Sequence, residues 1–462
     1  MTSISVSLVS HTNVGKTTLM RTLLRKDVGE VADRPHVTEE AEAGALLETA
    51  EGDVMRLWDT PGLGDSARLL KRLRASGNPI GWLLSQVWDR FADRPFYSSQ
   101  QAIRNVRDEA DLVLYLVNAA EDPASSAYVR IELEILGWIG RPVIALLNHT
   151  GTPRPREEEA REEDAWRAAL AGFGEVRGAL TLDAFARCWV QEDRLFAMLE
   201  EALPPEKLAA LERLRAVWRE RNLEVFDASV DALGDELAAA LKDREPLGAG
   251  DDPSRAVTAL AKRAQSAARK ATARLIAAHG LAGHAGDEIP RRVAAQFDVK
   301  RPADVAKTGL LGGVVSGLLG GLAADLAVGG ASLGAGAIIG GILGALGAGG
   351  AAHAWNLVRG EDAARVRWSS ALLEAHLVSA VLRYLAVAHF GRGRGEWRES
   401  EHPLHWRALA EEIARSQRDA LEFLAGEESP DARPLMREAL SAALARLYPQ
   451  ATALVFRRSA PS

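Results

Sequence analysis

Apolar positions recur with different periods in the two halves of the chain. Up to about residue 190, short runs of branched apolar residues alternate with stretches in which apolar positions return every three to four residues, as in a sheet flanked by helices. The spacing predicts strands over 4–9, 44–48, 54–59, 112–117, 143–147 and 175–182. From about Leu195 onward the pattern becomes long amphipathic helices rich in Ala, Leu, Glu and Arg, which predicts an all-α second half. Between the third and fourth strands, residues 66–107 are longer than such a connection needs and carry Trp82, Trp88, Phe91, Phe96 and Tyr97. They read as a helical insertion that covers its own aromatics, with a partner-binding lid as the alternative. The expected organisation is an α/β domain over 1–190, a helical domain over 191–305, a glycine-rich hydrophobic hairpin over 306–356 and a C-terminal helical region over 357–462.

Composition narrows the class. A chain of 462 residues with 47% apolar and 26% charged residues is ordinary globular material, long enough for two or three units. A net charge of −7 argues against whole-molecule attraction to nucleic acid, so such a partner would need a local basic face. One cysteine, Cys188, excludes an internal disulfide and a cysteine-built metal site. Ile4, Val6 and Leu8 run directly into the first chemical motif with no leader-like pattern ahead of them, so this half is expected in the cytosol.

That motif is Ser10-His11-Thr12-Asn13-Val14-Gly15-Lys16-Thr17-Thr18, placed between the first strand and the helical pattern of Leu19, Leu23 and Leu24. Strand, loop and helix in this order form a phosphate loop. Its amides and the helix N-terminus cradle phosphates, Lys16 neutralises the β and γ oxygens, and the Thr17 hydroxyl ligates Mg²⁺. Ser10 stands where the strict pattern has its first glycine. A second motif, Trp58-Asp59-Thr60-Pro61-Gly62, closes the third strand; Asp59 can reach Mg²⁺ through water, and the Gly62 amide can sense the γ-phosphate. Between them, the polar run 33–40 offers Thr38 as a further hydroxyl ligand to the metal.

These three elements resemble those of the Era, EngA and TrmE branch of bacterial translation-factor-related GTPases, which share a loop ending Asn-Val-Gly-Lys, a Pro-x-x-Thr switch and Asp-Thr-Pro-Gly. The resemblance covers roughly residues 1–190. The whole arrangement is similar to a group of bacterial GTPases with a C-terminal domain of unknown function. It implies a P-loop GTPase that hydrolyses GTP to GDP as a switch, with GTP and GDP as ligands and a homodimer or an activating protein as partner. It also implies that Asn148 and His149 belong to the base-reading motif. There the relatives read Asn-Lys-x-Asp and this chain reads Asn148-His149-Thr150-Gly151, so guanine selectivity loses its usual acidic acceptor. Leu63 follows Gly62 where Ras-type enzymes carry a water-orienting glutamine, so slow intrinsic turnover is expected. In some relatives the loop asparagine matching Asn13 ligates K⁺, which makes K⁺ a second candidate cofactor beside Mg²⁺.

Residues 308–352 differ from the rest. Asp325 is their one ionisable residue, and Gly309, Gly313, Gly317 and Gly321, then Gly336, Gly340 and Gly344, recur every fourth position. Each half is about 18–20 residues, close to the ~20 needed to cross a bilayer, and the glycine seams allow close helix approach. Lys300, Arg301 and Lys307 precede the segment and Arg359, Arg365 and Arg367 follow it, which predicts a membrane hairpin with both ends in the cytosol, contact with lipid, and attachment to the inner membrane. The alternative is a hairpin buried in a soluble fold. Arg255, Lys262, Arg263, Arg269, Lys270 and Arg274 follow helical spacing opposite Val257, Leu260, Ala264, Ala268, Ala271 and Leu275, the pattern of a solvated basic helix face, with a face for anionic lipid or RNA as the alternative.

Overall fold

A computed structural model describes residues 1–25, 41–85, 93–150, 154–184, 188–248, 253–281, 355–359, 364–390, 403–449 and 452–456. Thr38 and Gly151 lie outside these residues, as does the whole of 308–352 with Asp325 and its glycine series.

The chain divides into two compact units, Met1–Asn222 with His389–Trp397, and Leu223–Ala388 with Arg398–Ser462. The first contains a six-stranded sheet in the order β2-β3-β1-β4-β5-β6. Its strands are β1 (Ser3–Ser10), β2 (Glu42–Glu48), β3 (Val54–Asp59), β4 (Leu112–Asn118), β5 (Val143–Asn148) and β6 (Val176–Thr181). All neighbours are parallel except the edge pair β2 and β3. β4 and β5 are buried along nearly their whole length, which is why they read as continuous apolar runs instead of an alternation. β1 lies between β3 and β4, so the connections leave it in opposite directions across the sheet. Its C-terminal end is therefore the point at which the strand order reverses, the place where ligands of open α/β sheets bind.

Residues 66–107, of which 86–92 with Trp88 and Phe91 lie outside the described residues, are helical as expected and share the core of the sheet. They fold as α2 (Ser66–Arg74), α3 (Pro79–Ser85) and α4 (Arg94–Asp108), and Leu69, Leu73, Leu83, Phe96, Ile103 and Val106 enter the same core as Val113 and Tyr115 of the sheet. Phe96 also lies beneath the guanidinium groups of Arg68 and Arg72, 4.3 and 4.7 Å from its ring centre. The unit continues past residue 190. α7 (Trp189–Ala202) and the start of α8 (Pro205–Lys242) belong to it, tied by Trp218 Nε1 donating to Glu192 at 2.7 Å and Arg213 donating to Asp53 at 2.7 Å.

The second unit is mostly helical but not all-α. β7 (Arg244–Leu247), β8 (Trp355–Arg359) and β9 (Ala364–Trp368) form an antiparallel sheet in the order β7-β9-β8. The strands hold only four or five residues and contain several arginines, too short for a period of two to stand out, although Val366 and Trp368 are the buried members of such an alternation. Arg359, Arg365 and Arg367, read as membrane flanks, are residues of these strands. α9 (Pro253–Ala278) has the expected faces: Leu260, Ala264, Ala268, Ala271 and Leu275 are buried, while Arg263 pairs with Asp243 and Glu245, and Arg274 with Asp235.

Among the described residues one helix, α10 (Ser370–Ala388), is long and apolar enough to cross a membrane, and most of it is buried within this unit. Its fully buried Arg383 donates to both carboxylate oxygens of Glu236 at 2.6 Å, to Ala268 O at 3.2 Å and to Thr272 Oγ1 at 3.1 Å. Burial pushes the Glu236 carboxyl up, but Arg383 and His376 outweigh it and hold the group below its ordinary value.

Candidate nucleotide site

The loop after β1 turns on two left-handed residues, Asn13 at φ 65° and Gly15 at φ 93°. Asparagine is one of the few side chains that tolerate this region, and glycine tolerates it best. A Cβ on Gly15 would also lie 2.6 Å from Asn148 Nδ2 and 3.2 Å from His149 Nε2, so the position lacks room as well. α1 (Lys16–Leu24) then begins with Lys16 and Thr17 in its first turn. Val14 and Thr18 are buried beside the loop, whereas Asn13 is exposed on it.

Lys16 is buried, and its Nζ donates to Ser10 Oγ at 3.0 Å and to His11 O at 3.5 Å. Ser10, which departs from the strict loop pattern, thus gives the lysine an internal acceptor. Burial lowers the Lys16 pKa, opposed by the charges of Asp59 and Glu132. The Thr17 hydroxyl donates to Asp59 Oδ2, joining the start of α1 to the end of β3. Gly62 packs against the loop: a Cβ there would lie 2.9 Å from Thr12 Cα, which is backbone and cannot yield. Leu63 N donates to Ser10 O at 2.9 Å, and its side chain is fully buried with Val9 and Leu69, turned into the core.

Asn148 is fully buried and engaged within the protein. Its Nδ2 donates to Val14 O at 2.6 Å, and its Oδ1 accepts from Ala184 N at 2.8 Å. The residue expected to read a base therefore braces the phosphate loop against the segment after β6. His149 follows at φ 60°, and burial pushes its pKa down against the opposing charge of Asp183. Asp183 accepts from both Thr150 N at 2.7 Å and Thr150 Oγ1 at 3.0 Å, fixing the loop that carries His149. The structure thus brings Ser10, Thr12, Asn13, Val14, Gly15, Lys16, Thr17, Thr18, Asp59, Gly62, Asn148 and His149 to one end of the sheet.

Residues 5–149 match a family described as 50S ribosome-binding GTPase, and residues 167–442, more than half of the chain, match the domain of unknown function DUF3482. The chain belongs to the DUF3482 family. In this DUF3482 protein the family region follows an Era-like P-loop GTPase domain. The GTPase Era of Heliobacterium modesticaldum is 26% identical over 147 residues, 32% of this chain and 40% of that relative. The DUF3482 protein thus spans less than half the length of the curated relative it matches. Among solved structures, Era of Aquifex aeolicus bound to GDP and AlF4⁻ aligns over 58% of this chain and 88% of its own, at 15% identity and a TM-score of 0.31. Toc33 of Arabidopsis thaliana with Mg²⁺ and GMPPNP aligns over 47% of this chain and 84% of its own, at 13% identity and a TM-score of 0.27.

Proposed function

We propose that the protein binds GTP and hydrolyses it to GDP as a molecular switch, by attack of water on the γ-phosphate. The observation that carries this reading is the meeting of Lys16, Thr17 and Asp59 at the C-terminal end of β1. In that role the loop amides and the start of α1 hold the phosphates, Lys16 neutralises their oxygens, and the Gly62 amide lies beside the loop to sense the third phosphate. The donors fit Mg²⁺: the Thr17 hydroxyl and the Asp59 carboxylate are hard oxygen ligands already in contact, and Thr38 would join them. Bound Mg²⁺ would supply charge neutralisation between the β- and γ-phosphates.

Leu63, apolar and buried, has no means of orienting water, which supports slow turnover by the isolated protein. Asn13, exposed on the loop, is the residue to which a K⁺ ion would bind. GTP hydrolysis by the purified chain should be slow and faster in K⁺ than in Na⁺, and Asn13→Ala should remove the difference. Equal rates in the two salts would exclude the ion, and absence of any GTP hydrolysis would defeat the function.

The membrane reading rests on residues 308–352 alone: their length, glycine spacing and single ionisable residue support a hairpin that holds the nucleotide domain at the inner membrane. If so, the full chain should stay with membranes through alkaline carbonate extraction, and deleting 308–352 should release a nucleotide-binding protein. Association of several hairpins as a nucleotide-gated pore would add ion leakage from loaded liposomes. Release of the intact protein by carbonate would favour a soluble GTPase of ribosome or RNA assembly, which the family described as 50S ribosome-binding supports.

A further inference from the structure

Glu132 is a buried carboxylate to which none of the roles above is assigned. It sits on α5 (Ala127–Gly137), fully buried, and gathers three groups from separate parts of the first unit. His11 Nδ1 of the phosphate loop lies 2.7 Å from its Oε1, with the carboxylate accepting. Ser66 Oγ, in the first turn of α2, donates to the same Oε1 at 2.6 Å. Tyr115 of β4 donates to Oε2 at 2.7 Å. The His11 ring is further held against Tyr128, with ring centres 4.9 Å apart.

A single oxygen is therefore shared by the phosphate loop and by the helix that begins four residues after Gly62. One backbone tie runs in parallel with it: Leu63 N donates to Ser10 O, as part of the bridge between His11 and Leu63. Sharing makes the two donors dependent on each other. If the Gly62 segment moves and withdraws Ser66, Oε1 keeps only His11, and the loop loses one of the constraints on its position. Burial raises the stakes, since a carboxylate away from water needs its donors.

We infer that Glu132 is a positioning residue that couples the segment after Gly62 to the phosphate loop through its shared hydrogen bonds to Ser66 and His11. This rests on the GTPase reading above for its consequence in turnover, but not for the coupling itself. The test compares the full-length wild type with Ser66→Ala and Glu132→Gln by amide hydrogen exchange and by GTP hydrolysis. Glu163→Gln serves as a control, because Glu163 is a buried carboxylate of the same unit that instead holds Thr181 N and Arg194.

Ser66→Ala should speed exchange in residues 11–15 by ~5-fold or more, although Ser66 touches none of those amides, and Glu132→Gln should do so on both sides of the relay. Both should lower kcat by ~10-fold with KM little changed, the loss expected of one hydrogen bond to a charged group felt in the transition state. Glu163→Gln should leave the exchange of 11–15 at the wild-type rate. Faster exchange confined to α2 in Ser66→Ala would overturn the inference, as would parallel changes in the control. Should Glu132→Gln fail to fold, Ser66→Ala decides the matter. A protein that exchanges as described yet hydrolyses no GTP would defeat the proposed function and leave the coupling standing.

Discussion

Lys16→Ala should lower the affinity for GTP by at least ~100-fold, since an ammonium facing two phosphates contributes more than one ordinary hydrogen bond. The geometry supports a large effect. Lys16 is buried with its ammonium on Ser10 Oγ and His11 O, so it is already aimed along the loop and loses little conformational freedom on binding. The substitution leaves Thr17 with Asp59 and the Leu63 N to Ser10 O tie in place, so the thermal midpoint should change little. Equilibrium titration with a fluorescent GTP analogue in Mg²⁺ measures this, and wild-type affinity in the variant would remove the loop from the binding site.

The second large effect lies in the other unit. Removing one partner of the Glu236–Arg383 pair, as in Arg383→Ala, should destabilise the helical unit by ~3–5 kcal/mol, because a carboxylate remains buried without its guanidinium. A double substitution, Glu236→Leu with Arg383→Met, should recover much of the loss by replacing both charges with apolar volume. The pH dependence has a definite sign. The folded-state pKa of Glu236 lies below its unfolded value, so the pair contributes fully at neutral pH and is lost as pH falls through the depressed folded value. Urea unfolding across acid and neutral pH reads both effects. Equal stability of Arg383→Ala and wild type at neutral pH would show that the pair carries little.

The sheet half was legible in advance because its signals are local. A strand, a loop ending Gly15-Lys16-Thr17 and a helix occupy consecutive residues, and Asp59 ends a strand that pairs with β1. What was not legible depends on residues far apart in sequence. Glu132 meets His11 across 121 residues and Ser66 across 66; its one local sign is a carboxylate at helical spacing from the buried Val129 and Leu136. The resemblance places Asn148 in the base-reading motif, whereas its bonds to Val14 O and from Ala184 N depend on how β5 packs beside the phosphate loop and the segment after β6. Ser10 departs from the strict pattern in sequence, and its part as an acceptor for Lys16 depends on the folded reach of that side chain. In the second half, arginine-bearing strands of four or five residues were hidden among long helices, whose strong period dominated the pattern.

The most direct measurement for the GTPase reading is displacement of bound fluorescent GTP analogue from the full-length protein by unlabelled GTP and by ATP, in Mg²⁺. GTP should compete more strongly than ATP, but by less than the ~10⁴ that a dedicated acidic acceptor for the base can provide, because glycine stands at position 151. Failure of both nucleotides to displace the analogue, or stronger competition by ATP, would contradict it.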